Sequence, residues 1–290
     1  MSDKSAIQWT DATWNPVTGC SKVSPGCAHC YAETLSLRFG WSKRAWLPEY
    51  AAENVVLHPE RLDQPGRWRR PRRVFVNSMS DLFHPLVPDA YIHEVFDRMA
   101  QADWHSYQIL SKRPERMADV VNSYYSLHPG EVPLPHVWLG TSIENDRWTA
   151  RADAVRQTPA AVRFISAEPL LGPLPSLDLT EIDWLIVGGE SGAGARPMDS
   201  EWALDLRDRA LENGTAFFFK QWGGRTPKAH GRTLDGRTWD EMPSVGRRLL
   251  GEDPDLGALD GSFNAIPRDA IGVSGHEGES GTGSSVLVEA

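Results

Sequence analysis

The amino-acid pattern predicts an α/β fold, an incomplete (β/α) barrel of about six or seven parallel strands. Three observations carry this expectation. Six short apolar runs rich in β-branched and aromatic residues recur at 74–77, 107–110, 137–140, 162–166, 184–187 and 216–219, as buried parallel strands require. The spacers between them are mostly helical or turn-rich, long enough for crossovers that return the chain to the same edge. Each run is followed at once by polar or glycine residues, and in such folds function belongs at the carboxyl ends of the strands.

The opening, residues 7–19, mixes aromatic and β-branched residues with Asn15-Pro16 and reads as extended chain leading into a first strand. Residues 31–39 have good helix formers with apolar positions at helical spacing, and Gly40 stops them. From Trp41 to Arg73 four prolines, Pro48, Pro59, Pro65 and Pro71, break any long element. That stretch ends in a basic arm, Arg67-Trp-Arg-Arg-Pro-Arg-Arg73. A tryptophan embedded among arginines suits phosphate contact and base stacking, and equally suits a solvated loop paired with nearby carboxylates. Helices are expected at 91–100, 114–121, 145–157 and 200–212. Ser200 with Glu201 just inside starts the last, and Asn213-Gly214 ends it. After Trp222 a segment to Pro243 holds Asp235-Gly236, a hairpin turn signal in a closing cap.

The domain organisation follows from composition. Residues 1–250 form the barrel with its cap, and 251–290 form an acidic, Gly/Ser-rich tail. The net charge of −9 is concentrated there, eight acids against Arg268 alone, so the first 250 residues are nearly balanced at 31 acids to 29 bases. Net charge therefore excludes no class of partner. A hydrophobic fraction of 40% and 12 tryptophans indicate a folded body. No apolar run approaches the ~18 residues of a membrane span, and Met-Ser-Asp-Lys-Ser-Ala lacks the apolar core of a signal peptide. A cytoplasmic protein with no membrane partner is the expectation, in a compartment where thiols stay reduced.

All three cysteines lie in one loop, Gly19-Cys-Ser-Lys-Val-Ser-Pro-Gly-Cys-Ala-His-Cys-Tyr-Ala-Glu33. Cys20, Cys27 and Cys30 cannot all pair as disulfides, because three is odd. Soft thiolates select zinc, copper(I) or iron-sulfur clusters. Zinc closed by four protein ligands would need His29 or a histidine from elsewhere such as His84. A 4Fe-4S cluster on three thiolates leaves one iron open to a small molecule.

This loop resembles the cluster loop of the radical S-adenosylmethionine enzymes. It has six residues in the first gap where the common motif has three, as in a family of phage and bacterial three-cysteine-motif proteins of unknown function. The likeness extends to Gln8-Trp9-Thr10, Trp14-Asn15-Pro16 and the runs 74–84, 110–114, 139–144, 165–174, 186–192 and 219–224, thus roughly residues 7 to 243. It implies a barrel of the radical S-adenosylmethionine type, with Cys20, Cys27 and Cys30 holding a 4Fe-4S cluster and S-adenosyl-L-methionine on the open iron. The implied activity is generation of a 5′-deoxyadenosyl radical that takes hydrogen from a substrate, with a flavodoxin- or ferredoxin-like electron donor. The strand-end residues then become the cofactor pocket: Ser80 and Asp81 beside the methionine end, Ser142, Glu144 and Glu168 nearer the ribose, with Asn77, Ser78, Ser111, Lys112, Gly188, Gly189 and Glu190 also cofactor-binding. Phage kinship, the arm, and Lys112, Arg113 and Lys220 on the rim favour a nucleotide or nucleic acid as substrate. The rival is a non-enzymatic zinc- or nucleotide-binding phage protein.

Overall fold

Seven parallel strands lie side by side in the order in which they occur in the chain. The computed structural model describes Ser5 and residues 7–128, 133–226 and 230–244. The sheet consists of β1 (Ala12–Trp14), β4 (Arg73–Val76), β5 (Ser106–Ser111), β6 (Val137–Ser142), β7 (Val162–Ala167), β8 (Trp184–Gly188) and β9 (Ala216–Gln221). A separate antiparallel pair, β2 (Val17–Thr18) and β3 (Val56–Leu57), sits at the mouth. Parallel neighbours in chain order with helical crossovers wind one way, so the sheet curls into a barrel wall. β1 and β9 pair with no partner on their outer sides within this sheet, which makes the barrel incomplete.

The crossovers are α1 (Tyr31–Arg38), two single-turn helices α2 (Ala51–Asn54) and α3 (Gln64–Arg67), then α4 (Asp89–Gln101), α5 (Pro114–Leu127), α6 (Arg151–Arg156) and α7 (Ser200–Asn213). Two expectations shift. The helix at 145–157 is a 3₁₀ turn (Asp146–Trp148) followed by the short α6, because Asp146 accepts from Ser176 N–H and O–H across the loop instead of capping a helix. The cap of α7 is Asp199, whose Oδ1 accepts from Glu201 N at 2.9 Å, and not Ser200; Gly214 at φ +70° ends the helix as expected.

Alternate strand residues face opposite ways. Val74, Val76, Ile109, Leu139, Leu185, Val187 and Phe219 pack in the larger core cluster with the helices. Their neighbours Phe75, Trp138, Phe164, Trp184 and Phe218 form a second, aromatic cluster with Trp9, on the concave side. Trp184 lies edge-on to Trp9, Trp138 and Phe218 at ring separations near 6 Å. This plug fills the amino end of the concave face and confines any cavity to the carboxyl end.

The described part of the closing segment runs beside β9. Asp235 (φ +51°) and Gly236 (φ +76°) make the expected two-residue turn between Leu234 and Arg237. Beyond it Phe219 N donates to Trp239 O and Glu241 N to Phe217 O, so the chain runs antiparallel along the open edge of β9 and protects it. The expected tail, 251–290, lies outside the described residues.

Candidate metal and cofactor site

The cysteine loop crosses the carboxyl ends of the strands, tied to residues that follow β4, β5, β6 and β8. Gly19, at φ +81°, bridges to Ser80, and a Cβ here would stand 1.8 Å from Asn54 O, so only glycine passes. After β5, Arg113 donates from Nη1 to Cys20 Sγ at 3.5 Å and from Nη2 to Ser21 O at 3.0 Å. Asp81 holds that guanidinium, its Oδ2 lying 2.8 Å from Arg113 Nη1. After β6, Glu144 Oε1 accepts from Ser24 Oγ at 2.5 Å, while Arg151 Nη1 donates to its Oε2 at 3.1 Å. Glu144 is fully buried, and a Cβ on Gly26 would fall 2.5 Å from its Oε1. After β8, Arg196 donates to Pro25 O at 3.0 Å and pairs in a fork with Glu190, which also accepts from His29 Nδ1. Three ion-pair systems, two of them buried and the third half-buried at Arg196, thus grip one loop of eleven residues, Cys20 to Cys30.

Glu190 shows how strong one grip is. Burial works to raise its carboxyl, but the Arg196 side chain and N–H, with His29, outweigh it and hold the pKa at about 2, below the ordinary 4.5. A depressed carboxyl contributes stability that is present above its unfolded pKa and lost as pH falls through the folded one. The protein is therefore expected to lose stability between about pH 4.5 and about pH 2, and Glu190→Gln to flatten denaturant midpoints across that window. An unchanged pH profile would show that the pair contributes nothing.

The thiols are the soft donors of this loop, and burial favours their neutral form. Burial pushes Cys20 up to about 12; Asp81 adds to the shift and Arg113 opposes it. Cys30, just before α1, is raised by burial, and the Glu33 and Ala32 amides oppose this. Such thiols stay protonated until a metal displaces the proton. Of the two expected histidines only His84 has both ring nitrogens engaged, whereas His29 meets Glu190 through Nδ1 and keeps Nε2 without a hydrogen-bond partner among the described residues. His84 Nε2 meets Ser21 Oγ at 2.9 Å and its Nδ1 accepts from Leu86 N at 3.1 Å; burial and then Arg113 push its pKa down to about 4. His29 is held on Glu190 at 3.0 Å. Among the described residues no three His, Cys, Asp or Glu side chains converge as on a single metal ion. A cluster that spreads three thiolates over three irons does not require that convergence. Asn77 adds a second sign: at 2% exposure and φ +63°, its side-chain oxygen and nitrogen have no partner among the described residues. A buried amide left unmatched at the carboxyl end of β4, on the concave side, fits a polar ligand there. The donor set of three thiols and an open amide fits a cluster with a small cofactor.

A family model described as "Protein of unknown function (DUF5131)" matches residues 4–243. The chain belongs to that family. No curated protein matches this DUF5131 chain. A similar solved structure is that of spore photoproduct lyase complexed with dinucleoside spore photoproduct. It is 12% identical, with a TM-score of 0.34 over 68% of this chain and 59% of that one, so the DUF5131 chain spans less than two thirds of its length.

The strand-end residues of the DUF5131 chain fall into two groups. Several serve the loop and turns: Ser80 Oγ donates to Val17 O, Ser78 shares hydrogen bonds with Asn15, Ser111 Oγ donates to Asp81, and both Asp81 oxygens accept from protein donors. Glu144 and Glu190 belong here too, and Gly189 lies so close to Trp222 O that a Cβ would fall 2.0 Å from it. The second group shares the concave parity and keeps capacity for a ligand: Asn77, Lys112, Ser142, Glu168 and Gly188. Glu168 Oε1 is met by Lys220 Nζ at 2.6 Å and Gln221 Nε2 at 3.3 Å, both reaching it because a bulge opposite Gly188 re-aims the end of β9. Its Oε2 has no hydrogen-bond partner among the described residues. Sequence reasoning missed Ser24, Arg151 and Arg196, since none sits directly after an apolar run.

The basic arm is elsewhere. Arg73 opens β4, so the arm lies at the amino ends of the strands, away from the cysteines. Trp68 is only 8% exposed, packed edge-on against His105 with Arg72 over its ring. It cannot stack a base as the sequence suggested, because burying the ring in the core outweighed presenting it. Arg73 pairs with Asp11 at 2.9 Å.

Proposed function

We propose that this protein is a radical S-adenosylmethionine enzyme, with Cys20, Cys27 and Cys30 holding a 4Fe-4S cluster. The observation that carries the reading is the donor set: three thiols on one clamped loop, beside the unpartnered buried amide of Asn77. When bound, the cluster with S-adenosyl-L-methionine would supply one-electron cleavage of the sulfonium, releasing a 5′-deoxyadenosyl radical able to take hydrogen from substrate. The chain's residues do the rest. Arg113, Glu144 and Arg196 fix the loop, so that ligand positions do not drift when the metal changes charge. Asn77 offers an acceptor and two donors to the cofactor, and Glu168 Oε2 an acceptor. The aromatic plug closes the amino end of the barrel and excludes water and stray hydrogen donors. Lys112, 3.5 Å from Glu144, and Lys220 give the mouth cationic groups suited to a nucleotide or nucleic-acid substrate. The electron donor in this reading is a flavodoxin- or ferredoxin-like protein.

Anaerobic reconstitution with ferrous iron and sulfide is expected to give a brown, oxygen-sensitive protein. With reductant and S-adenosyl-L-methionine it should release 5′-deoxyadenosine. A colourless preparation that takes zinc stoichiometrically would replace this reading with that of a non-enzymatic zinc-binding protein. Among the described residues no helix is long and apolar enough to cross a membrane.

A further inference from the structure

The described fold carries a basic aromatic surface in a place the sequence pattern did not single out. From Leu37 to Arg44, over the last two residues of α1 and the turn that follows, every residue but Ser42 is exposed. Phe39 is 56% and Trp41 63% exposed, and their rings lie 5.2 Å apart at 30°, tilted towards parallel. The Arg38 guanidinium stands 5.7 Å over the Phe39 ring. Arg38, Lys43 and Arg44 are the charged groups of the stretch, with no acid among its residues. Arg44 faces Glu53 at 3.8 Å, both more than half exposed, while Arg38 and Lys43 have no carboxylate partner among the described residues.

The turn that presents these rings is built, not frayed. Phe39 N donates to Leu35 O, while Trp41 N and Ser42 N both reach Ser36 O. The buried Trp46 donates its Nε1 to Ser42 Oγ and its backbone N–H to Glu33 Oε1, so the turn is anchored from beneath. Two large rings held in water beside unpaired cations leave apolar faces and positive charge both unmatched. A ligand that matches both supplies flat π-faces at intervals along an anionic backbone. Duplex nucleic acid offers the phosphates but keeps its base faces stacked inside, whereas a single strand offers both.

We infer that Phe39 and Trp41, with Arg38, Lys43 and Arg44, form a stacking platform for single-stranded nucleic acid. The platform follows the helix that begins beside Cys30, about 12 Å along it, so a strand seated there runs close to the cysteine loop. Binding at this surface needs neither iron nor S-adenosyl-L-methionine, so this inference and the enzyme reading fail independently.

The test uses the full chain as purified and a fluorescein-labelled oligothymidylate, the same-length RNA, and the duplex, followed by anisotropy over a salt series. The single strands are expected to bind more tightly than the duplex. Phe39→Ala with Trp41→Ala is expected to weaken binding on the order of tenfold or more while keeping the salt slope. Arg38→Gln, Lys43→Gln and Arg44→Gln together are expected to reduce that slope by about 0.7 for each phosphate that is no longer neutralised. All five side chains are exposed, and unchanged melting curves will show that the variants fold. Arg67→Gln with Arg69→Gln and Arg70→Gln, at the other end of the sheet, are expected to change little. The platform is overturned if no single strand binds, if the duplex binds best, if the platform variants bind like the parent, or if only the arm variants lose binding.

Discussion

Cys20→Ala, Cys27→Ala and Cys30→Ala will each lose most of the iron that the reconstituted parent retains. The chain has 3 cysteines, all in the loop, so no spare thiol replaces a lost one. His84 uses both ring nitrogens within its own turn and with Ser21, and His29 is held by Glu190. Loss of one thiolate leaves an iron without its protein anchor and exposes the remaining cluster to water and oxygen. Iron and sulfide are assayed after anaerobic desalting; full retention by any one variant would remove that cysteine from the ligand set.

Glu144→Ala will be the most destabilising single change at the strand ends. The carboxylate is entirely buried between Ser24 of the loop and Arg151 of α6. Its removal strands Arg151, itself only 4% exposed, whose pKa burial already lowers. An uncompensated buried charge of this kind costs about 3–5 kcal/mol. In a domain of this size that is a fall in Tm on the order of 10 °C. Arg151 keeps its bond to Ser142 O and its place over the Trp148 ring, which limits the loss. Because Ser24 lies between Cys20 and Cys27, iron uptake should fall together with stability. Glu144→Gln, which preserves an acceptor for Ser24, is expected to recover part of both. A wild-type melting curve for Glu144→Ala would mean that the loop is held by its other two ion pairs alone.

Local pattern was enough for the fold. Strands such as 162–166 and 184–187 are apolar on both sides because helices cover one face and the aromatic plug fills the other, and that double burial is what makes a run continuous in sequence. Helix ends were legible where a residue acts on its own neighbours, as at Gly214. They were misplaced where the deciding partner is distant, as with Asp146 and Ser176. The three thiols are close along the chain, so their spacing places them on one loop.

What tertiary structure decided is which polar residues hold the loop and which keep polar atoms without a protein partner among the described residues. Asp81, Glu144 and Glu190 look alike in sequence, each an acid just past an apolar strand. Their partners Arg113, Arg151 and Arg196 come from later positions, and only the folded chain brings guanidinium to carboxylate in a buried setting where the pair is kept together. Burial also separated two aromatic basic stretches, only the first of which the sequence pattern singles out: Trp68 went into the core, and Phe39 and Trp41 stayed outside. The sequence by itself determined the barrel and the place of the three cysteines on one loop, because each depends on short-range periodicity and spacing. Partner choice and exposure are long-range properties of the packed chain, and they were settled only by how its layers close on one another.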